Sequence, residues 1–130
     1  MGDFELGEKI GKGAMGSVYR ARQLSKHRPA AIKVLKPHLA EDPLFLQRFL
    51  REAEVMSQLK HPNIVRCYKM GCQYGRYYIA MELVEGRTLG DWLSKLGKLS
   101  MADALHVTAG VTKALQHAHQ NGLIHRDIKP

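Results

Sequence analysis

The sequence feature that most constrains the fold is a set of three glycines at the spacing G-x-G-x-x-G. Gly11, Gly13 and Gly16 lie near the N-terminus, and the β-branched residue Val18 follows two positions after the last of them. Glycine has no Cβ, so it allows a chain to turn sharply at positive φ or to approach a phosphate closely. The spacing alone is typical of more than one phosphate-binding loop, and the flanking residues decide between them.

The residues on both sides of the glycines predict β-strands. Residues 17–22 include Val18 and Tyr19 in a short alternating run, and residues 4–10 also alternate apolar and polar side chains. A dinucleotide-binding loop would open a helix instead. The glycines are therefore predicted to join two antiparallel strands as a hairpin that covers phosphates.

Lys33 is the next residue that needs an explanation. Residues 30–35 predict a third strand, which is strongly apolar apart from this lysine. A lysine in such a strand either extends its ammonium group to water or meets an anion. Taken alone, the first reading is favoured; after a glycine hairpin at this distance, a phosphate-facing lysine is the better interpretation.

A helix with one inward carboxylate follows. Asp42 is a good N-cap and Pro43 suits the first helical position, and the pattern predicts a helix to about residue 60. Glu52 falls on its apolar stripe, which comprises Phe45, Phe49, Met56 and Leu59. Because a carboxylate on an inward face needs a cation, Lys33 is its predicted partner. A glutamate at the rim of the stripe, in water, is the alternative.

Two more strands complete the predicted sheet. They are predicted over residues 64–70 and 76–82, with a turn between them and a short connector at 83–86. Near the end of the chain, Leu123 and Ile124 are predicted to form a further apolar strand.

Two helices are predicted after the connector. The first runs from Thr88 to about residue 96, and the second from Ser100 to about residue 121, with a Ser100–Asp103 capping box and Gly122 after its end. The second helix has an apolar stripe for which the preceding residues offer no partner, and which comprises Leu105, Ala109, Val111 or Thr112, Leu115 and Ala118.

Composition excludes some classes of protein. The 130 residues suffice for one modest domain or for a lobe of a larger one, and 45% of them are hydrophobic, as in ordinary globular proteins. No apolar run is long enough to span a bilayer, and residues 1–4 do not resemble a signal peptide. The chain is therefore expected to be cytoplasmic, with no membrane segment.

The net charge of +8 raises nucleic acid as a partner. The basic residues are scattered rather than clustered, and no aromatic binding signature accompanies them, so no specific nucleic acid is expected. Cys67 and Cys72 are five residues apart in a predicted strand, so they are expected to point to opposite faces and to serve in packing. His117 and His119 could form a metal pair, but solvated histidines are the favoured reading, and no metal ligand is assigned.

Four motifs occur together in one order. They are the glycine hairpin, the Ala30-Ala31-Ile32-Lys33 strand, the helical Glu52, and His125-Arg126-Asp127. In this combination the sequence resembles the protein kinases, and Ile128-Lys129-Pro130 resembles their Ser/Thr branch. Segments 51–53, 61–65 and 81–86 are most similar to the eukaryotic-like (Hanks-type) kinases of bacteria.

The resemblance implies an α+β fold. It implies an N-terminal lobe over residues 1–82, with a five-stranded antiparallel sheet and the helix that family descriptions call helix C. A hinge at 83–87 and the first helices of the C-terminal lobe at 88–130 would follow.

The resemblance also implies an ATP site. Lys33 would hold the α and β phosphates, Ile10, Val18 and Ala31 would cover the adenine, and the backbone of Glu82 and Val84 would bind its edge, with Met81 behind it. The implied ATP-binding residues are Ile10, Gly11, Lys12, Gly13, Ala14, Met15, Gly16, Ser17, Val18, Ala31, Lys33, Met81, Glu82 and Val84.

The resemblance assigns the catalytic roles as well. Glu52 would orient Lys33, Asp127 would accept the proton of the substrate hydroxyl, and Lys129 would face the γ-phosphate. Arg126 matches the family's receiver of an activation-loop phosphate. The implied reaction transfers the γ-phosphate of ATP, with Mg²⁺, to Ser or Thr hydroxyls of protein substrates.

The family's metal ligands would lie after Pro130. The catalytic-loop asparagine is expected two residues later, and an Asp-Phe-Gly motif further along. The chain is therefore expected to be part of a catalytic domain and inactive by itself. The alternatives are a nucleotide- or partner-binding fragment without catalysis and a basic nucleic-acid binder, whose affinity would fall steeply with salt.

Overall fold

A five-stranded antiparallel sheet forms the first part of the chain. The computed structural model describes residues 1–126 and 128–130, and of residue 52 it describes the backbone alone. The spatial order of the strands is β1-β2-β3-β5-β4. Their bounds are β1 Phe4–Lys12, β2 Gly16–Gln23, β3 Arg28–Leu35, β4 Cys67–Gln73 and β5 Arg76–Met81. The predicted sheet is confirmed, including its antiparallel pairing.

Four helices lie in the described part of the chain. They are α1 Pro37–Ala40, α2 Pro43–Gln58, α3 Leu89–Leu96 and α4 Met101–Gln120. Helices α2, α3 and α4 begin where the sequence predicts a helix start, whereas α1 has no side-chain cap. The Asp42 carboxylate accepts the Leu44 and Phe45 N–H groups at 3.0 and 3.1 Å, and the Thr88 hydroxyl accepts the Asp91 N–H at 3.1 Å. These bonds satisfy amide groups that have no partner within their own helix.

The sheet carries an apolar cluster on each face. The outer-face cluster comprises Phe4, Ala21, Ala30, Ile32, Val34, Tyr78 and Ala80. The helix-side cluster comprises Leu35, Phe49, Ala53, Cys67 and Ile79, and α2 supplies Phe49 and Ala53 to it. Because side chains alternate along a strand, Ala30, Ile32 and Val34 of β3 enter the outer-face cluster, whereas Leu35 enters the helix-side cluster.

Several predicted elements differ from the structure. The short helix α1 was not predicted, and α2 ends at Gln58 rather than near residue 60. Strand β4 begins at Cys67, three residues later than predicted, because the preceding residues form a turn in which the Ile64 N–H donates to the His61 carbonyl. Leu123 and Ile124 do not form a strand.

The chain divides into two compact units. Residues 1–58 and 65–84 form the first, and residues 59–64 and 85–130 form the second. In the second unit, Asn63 Nδ2 donates to the Gly110 carbonyl of α4 at 3.1 Å, and the His61 and His117 rings lie 5.2 Å apart. The segment 59–64 thus packs on α4.

The apolar stripe of α4 is offset from the predicted one. Ala118 is buried and Leu115 is half-buried, but Leu105, Ala109, Val111 and Thr112 are exposed. The helix turns Gly110, Ala114 and His117 inward, toward segment 59–64. Within the described residues, no helix combines the length and the apolar character needed to cross a bilayer.

Candidate functional site

The glycine hairpin, residues 11–16, joins β1 to β2 by a tight turn. Lys12 lies opposite Ser17 in the sheet, and the Gly13 N–H donates to the Gly16 carbonyl at 2.8 Å. Ala14 and Met15 occupy the tip of the turn. The strand–turn–strand arrangement predicted from the flanking residues is therefore confirmed, and no helix follows the glycines.

The structure assigns Gly16 a specific packing role. None of the three glycines has a positive φ, so left-handed backbone is not what these positions require. At Gly16, however, a Cβ would lie 2.1 Å from the Val34 carbonyl oxygen of β3. Close backbone approach is thus the reason for glycine at this position. At Gly11 and Gly13 the nearest atoms lie 3.6 and 4.0 Å from such a Cβ, so both have room for one.

Predicted site residues share the helix-side face of the sheet. Val18 lies opposite Lys33 in the β2–β3 pair, and Ala31 lies opposite Met81 in the β3–β5 pair. Directly paired residues point to one face, and Ala31 is two positions from Lys33 in the same strand. The structure therefore brings Val18, Ala31, Lys33 and Met81 together, while Ile10 is 44% exposed at the sheet's edge strand.

Lys33 is half-buried within this face. Its cross-strand neighbours are Val18 and Ile79, both apolar, and Leu35 of the same strand enters the helix-side cluster. The lysine stem therefore leaves the sheet between apolar residues, a setting in which an anion near the ammonium group would be favourable. The predicted partner Glu52 lies in α2, but its side chain is outside the described residues, so the expected ion pair stays a prediction.

A clamp that the sequence analysis did not predict fixes the start of the connector. The Glu82 N–H donates to the Arg66 carbonyl at 2.8 Å, and the Arg66 N–H donates to Glu82 Oε2 at 3.2 Å. With its N–H engaged, Glu82 can offer a ligand its carbonyl. Val84, two residues on, is 65% exposed. The β4–β5 pairing could have predicted this clamp. Cys67 lies opposite Met81, so Arg66 and Glu82 are the next two residues to face each other at that end of the strand pair.

The segment after α4 carries the remaining predicted residues. The helix ends with the Leu123 N–H bound to the Ala118 carbonyl at 3.0 Å, and Gly122 has φ +79°. Arg126 has φ +64°, which is unusual for a residue with a long side chain. His125 and Lys129 are exposed. Asp127, the predicted proton acceptor, lies outside the described residues.

The cysteines and histidines form no metal site in the described part of the chain. No group of three potential ligands occurs there, and both cysteines are free. Cys67 is buried in the helix-side cluster, and burial raises the pKa of its thiol. Cys72 is exposed, so the expectation that both cysteines serve in packing is wrong for this one.

Comparison with known proteins identifies the family. Residues 4–130 match the profile of the protein kinase domain. The chain is 43% identical over 129 residues to the serine/threonine-protein kinase PrkC of Bacillus subtilis, covering 99% of this chain and 20% of the relative. It is 46% identical over 131 residues to the serine/threonine-protein kinase PknB of Mycobacterium tuberculosis H37Rv, covering 98% of this chain and 21% of the relative.

The fold agrees with the sequence match. The crystal structure of the PknI kinase domain of Mycobacterium tuberculosis superposes with a TM-score of 0.88 at 35% identity, covering 98% of this chain and 52% of that one. The chain thus spans about a fifth of the length of the curated relatives it matches and about half of the solved kinase domain. By its sequence motifs, its α+β fold and these matches, the chain belongs to the protein kinase family.

Proposed function

We propose that the protein containing this chain is a serine/threonine kinase that transfers the γ-phosphate of ATP to Ser or Thr hydroxyls of protein substrates. The observation that carries the proposal is the position of Lys33. This cation is half-buried on the helix-side face, directly opposite Val18 of the strand that leaves the glycine hairpin. A phosphate group covered by the hairpin would lie near this lysine. Apolar packing does not explain a lysine at this position of the strand, whereas binding of a phosphate does.

The residues of the first unit fit ATP. The glycine hairpin would cover the phosphates, Lys33 would hold the α and β phosphates, and Glu52 would orient Lys33. Val18 and Ala31 lie on the same face and would contact the adenine, with Ile10 at its edge. The Glu82 carbonyl and the Val84 backbone would bind the adenine's polar edge, which agrees with the engagement of the Glu82 N–H by Arg66.

The catalytic residues of the second unit are proposed from the motif. Asp127 would accept the proton of the substrate hydroxyl, and Lys129 would stabilise the charge that develops on the γ-phosphate. Mg²⁺, when bound with ATP, supplies further neutralisation of the β and γ phosphates. No described residue of this chain is assigned as its ligand.

The motif also suggests a regulatory contact and a division into lobes. Arg126 would receive a phosphate placed on an activation loop, so phosphorylation would switch the enzyme on. Residues 1–82 would form the N-terminal lobe, 83–87 the hinge and 88–130 the start of the C-terminal lobe. The need for ATP and the two free cysteines favour action in the cytoplasm.

Replacement of Lys33 tests the proposed function. In the complete protein, Lys33→Met should reduce phosphate transfer from ATP to a Ser/Thr-containing protein by about 100-fold or more, because the cation that holds the phosphates is lost. Transfer is measured with γ-labelled ATP, and phosphoamino-acid analysis identifies the acceptor hydroxyl. Lys26→Met, in the exposed β2–β3 turn, is the matched control and should keep the wild-type rate.

The same assay can also contradict the proposed function. Unchanged turnover of Lys33→Met would contradict the assignment of this lysine. Absence of transfer by the wild-type protein, together with binding of ATP, would favour the alternative of a nucleotide-binding protein without catalysis.

A further inference from the structure

The tip of the glycine hairpin contacts the body of the first unit at Met15, a position that the G-x-G-x-x-G spacing leaves variable. The Met15 carbonyl accepts the Lys36 N–H at 3.0 Å, just after the end of β3. The Met15 side chain is half-buried and packs against the helix-side cluster. One residue of the turn thus makes both a backbone and a side-chain contact.

The other side chains of the turn do not share this orientation. Lys12 and Ala14 are exposed, and so is Gly13. Pairing of β1 with β2 does not require a large apolar side chain in the two-residue turn. Met15 therefore packs inward, while the residues that precede it in the turn, Lys12 to Ala14, remain in solvent.

The cluster that receives Met15 is built from the elements that carry the proposed phosphate-binding groups. Leu35 belongs to β3, two positions after Lys33, and Phe49 and Ala53 belong to α2, on either side of Glu52 in sequence. Methionine suits such a position, because its flexible thioether fills irregular gaps between elements. The contact links the hairpin, β3 and α2.

We propose that Met15 is a positioning residue, which holds the glycine hairpin in its phosphate-binding conformation by anchoring the tip to the helix-side cluster. The inference rests on the proposed function. An anchored hairpin loses less conformational freedom when a phosphate chain binds, so the anchor increases affinity for nucleotide phosphates and leaves affinity for the nucleoside unchanged. The side chain need not touch the nucleotide to act in this way.

The test compares a nucleotide with its nucleoside. Dissociation constants for MgADP and for adenosine are measured by calorimetry on the complete protein, for wild type, Met15→Ala and Met15→Leu. Met15→Ala should weaken MgADP binding by about fivefold and change adenosine binding by less than about twofold. Met15→Leu, which retains the apolar anchor, should restore MgADP binding to within about twofold of wild type. Met101→Ala, at a position 79% exposed, is the matched methionine control and should change neither constant.

The outcomes separate the anchor from a general packing role. Unchanged MgADP binding in Met15→Ala, or equal losses for MgADP and adenosine, would overturn the proposal. Absence of MgADP binding by the wild-type protein would overturn the proposed function and this inference with it.

A second measurement does not depend on a variant that folds. In wild-type protein with labelled methionine methyl groups, nuclear Overhauser effects should connect the Met15 methyl to side chains of the helix-side cluster when MgADP is bound. Persistence of these effects supports the anchor. Their loss on binding would mean that nucleotide displaces Met15, and would overturn it.

Discussion

At the scale of single residues, the three glycines of the hairpin are not equivalent. A side chain at Gly16 would collide with the backbone of β3, whereas Gly11 and Gly13 have room for one. Backbone atoms cannot rotate out of the way as a flexible side chain can. The strand pair must therefore separate locally if Gly16 gains a Cβ.

Alanine substitutions measure this difference. Gly16→Ala should lower the free energy of unfolding by roughly 1–3 kcal/mol, because the β2–β3 pair must shift to relieve the overlap. Gly13→Ala, where the nearest atom lies 4.0 Å from the added Cβ, should change it far less. Urea denaturation gives both values. Equal stabilities for the two variants would show that the backbone at Gly16 yields easily.

At this scale the sequence identifies most of the candidate site. The motifs identify the residues, and the alternation of side chains along a strand predicts which of them share one face of the sheet. Val18, Ala31 and Lys33 share a face, as regular antiparallel pairing requires. The Arg66–Glu82 clamp depends on the exact register of the predicted β4–β5 pair, and the Met15 contact depends on the course of a turn. Local patterns do not contain that information.

At the scale of secondary-structure elements, helix starts are predictable and strand starts less so. The caps at Asp42, Thr88 and Ser100 are local, since each side chain bonds an amide two or three residues later. The start of β4 depends on the turn at residues 61–64, where the Asn63 N–H also donates to His61 Nδ1 at 3.0 Å. The offset stripe of α4 has a similar cause, because the position of segment 59–64 decides which side chains are covered.

Asp3 fastens the beginning of β1 to the β2–β3 turn and makes this contact sensitive to pH. Its carboxylate accepts hydrogen bonds from the Ser25 hydroxyl, from Gln23 Nε2 at 2.9 Å and from the Ser25 N–H at 2.8 Å. These bonds, that of the Ser25 hydroxyl foremost, lower the pKa of Asp3 from its ordinary value of 3.8. The stabilisation is therefore complete above that value and is lost as the pH falls through the lowered pKa.

Replacement of Asp3 tests this pH dependence, because the variant lacks the titrating carboxylate. At pH 7, Asp3→Asn should unfold at a lower urea concentration than wild type, and the difference should shrink as the pH falls to about 3 and below. Glu5→Gln, at an exposed position of the same strand, is the control. A difference in midpoint that stays constant from pH 7 to pH 2 would show that the carboxylate charge has no part in the contact.

At the scale of the whole molecule, the two compact units differ in how much apolar surface they bury. The first unit has a cluster on each face of its sheet. Of the described residues of the second unit, Leu59 and Ala118 are the ones that are buried and apolar, while Leu105 of α4 is 62% exposed. Since tertiary packing supplies most of a helix's stability, α4 rests on few contacts within this chain.

Hydrogen exchange should reveal this difference in the 130-residue chain. Strand β3 pairs with β2 on one side and β5 on the other, and its Ala30 and Ile32 are fully buried, so its amides should open only with the sheet as a whole. Amides of α4 before its last turn should exchange through local unfolding, many times faster. Mass spectrometry of peptides covering β3 and α4 compares them within one sample. Equal protection of α4 and β3 would mean that the second unit is stabilised by contacts beyond its own sparse core, and that the two units unfold together.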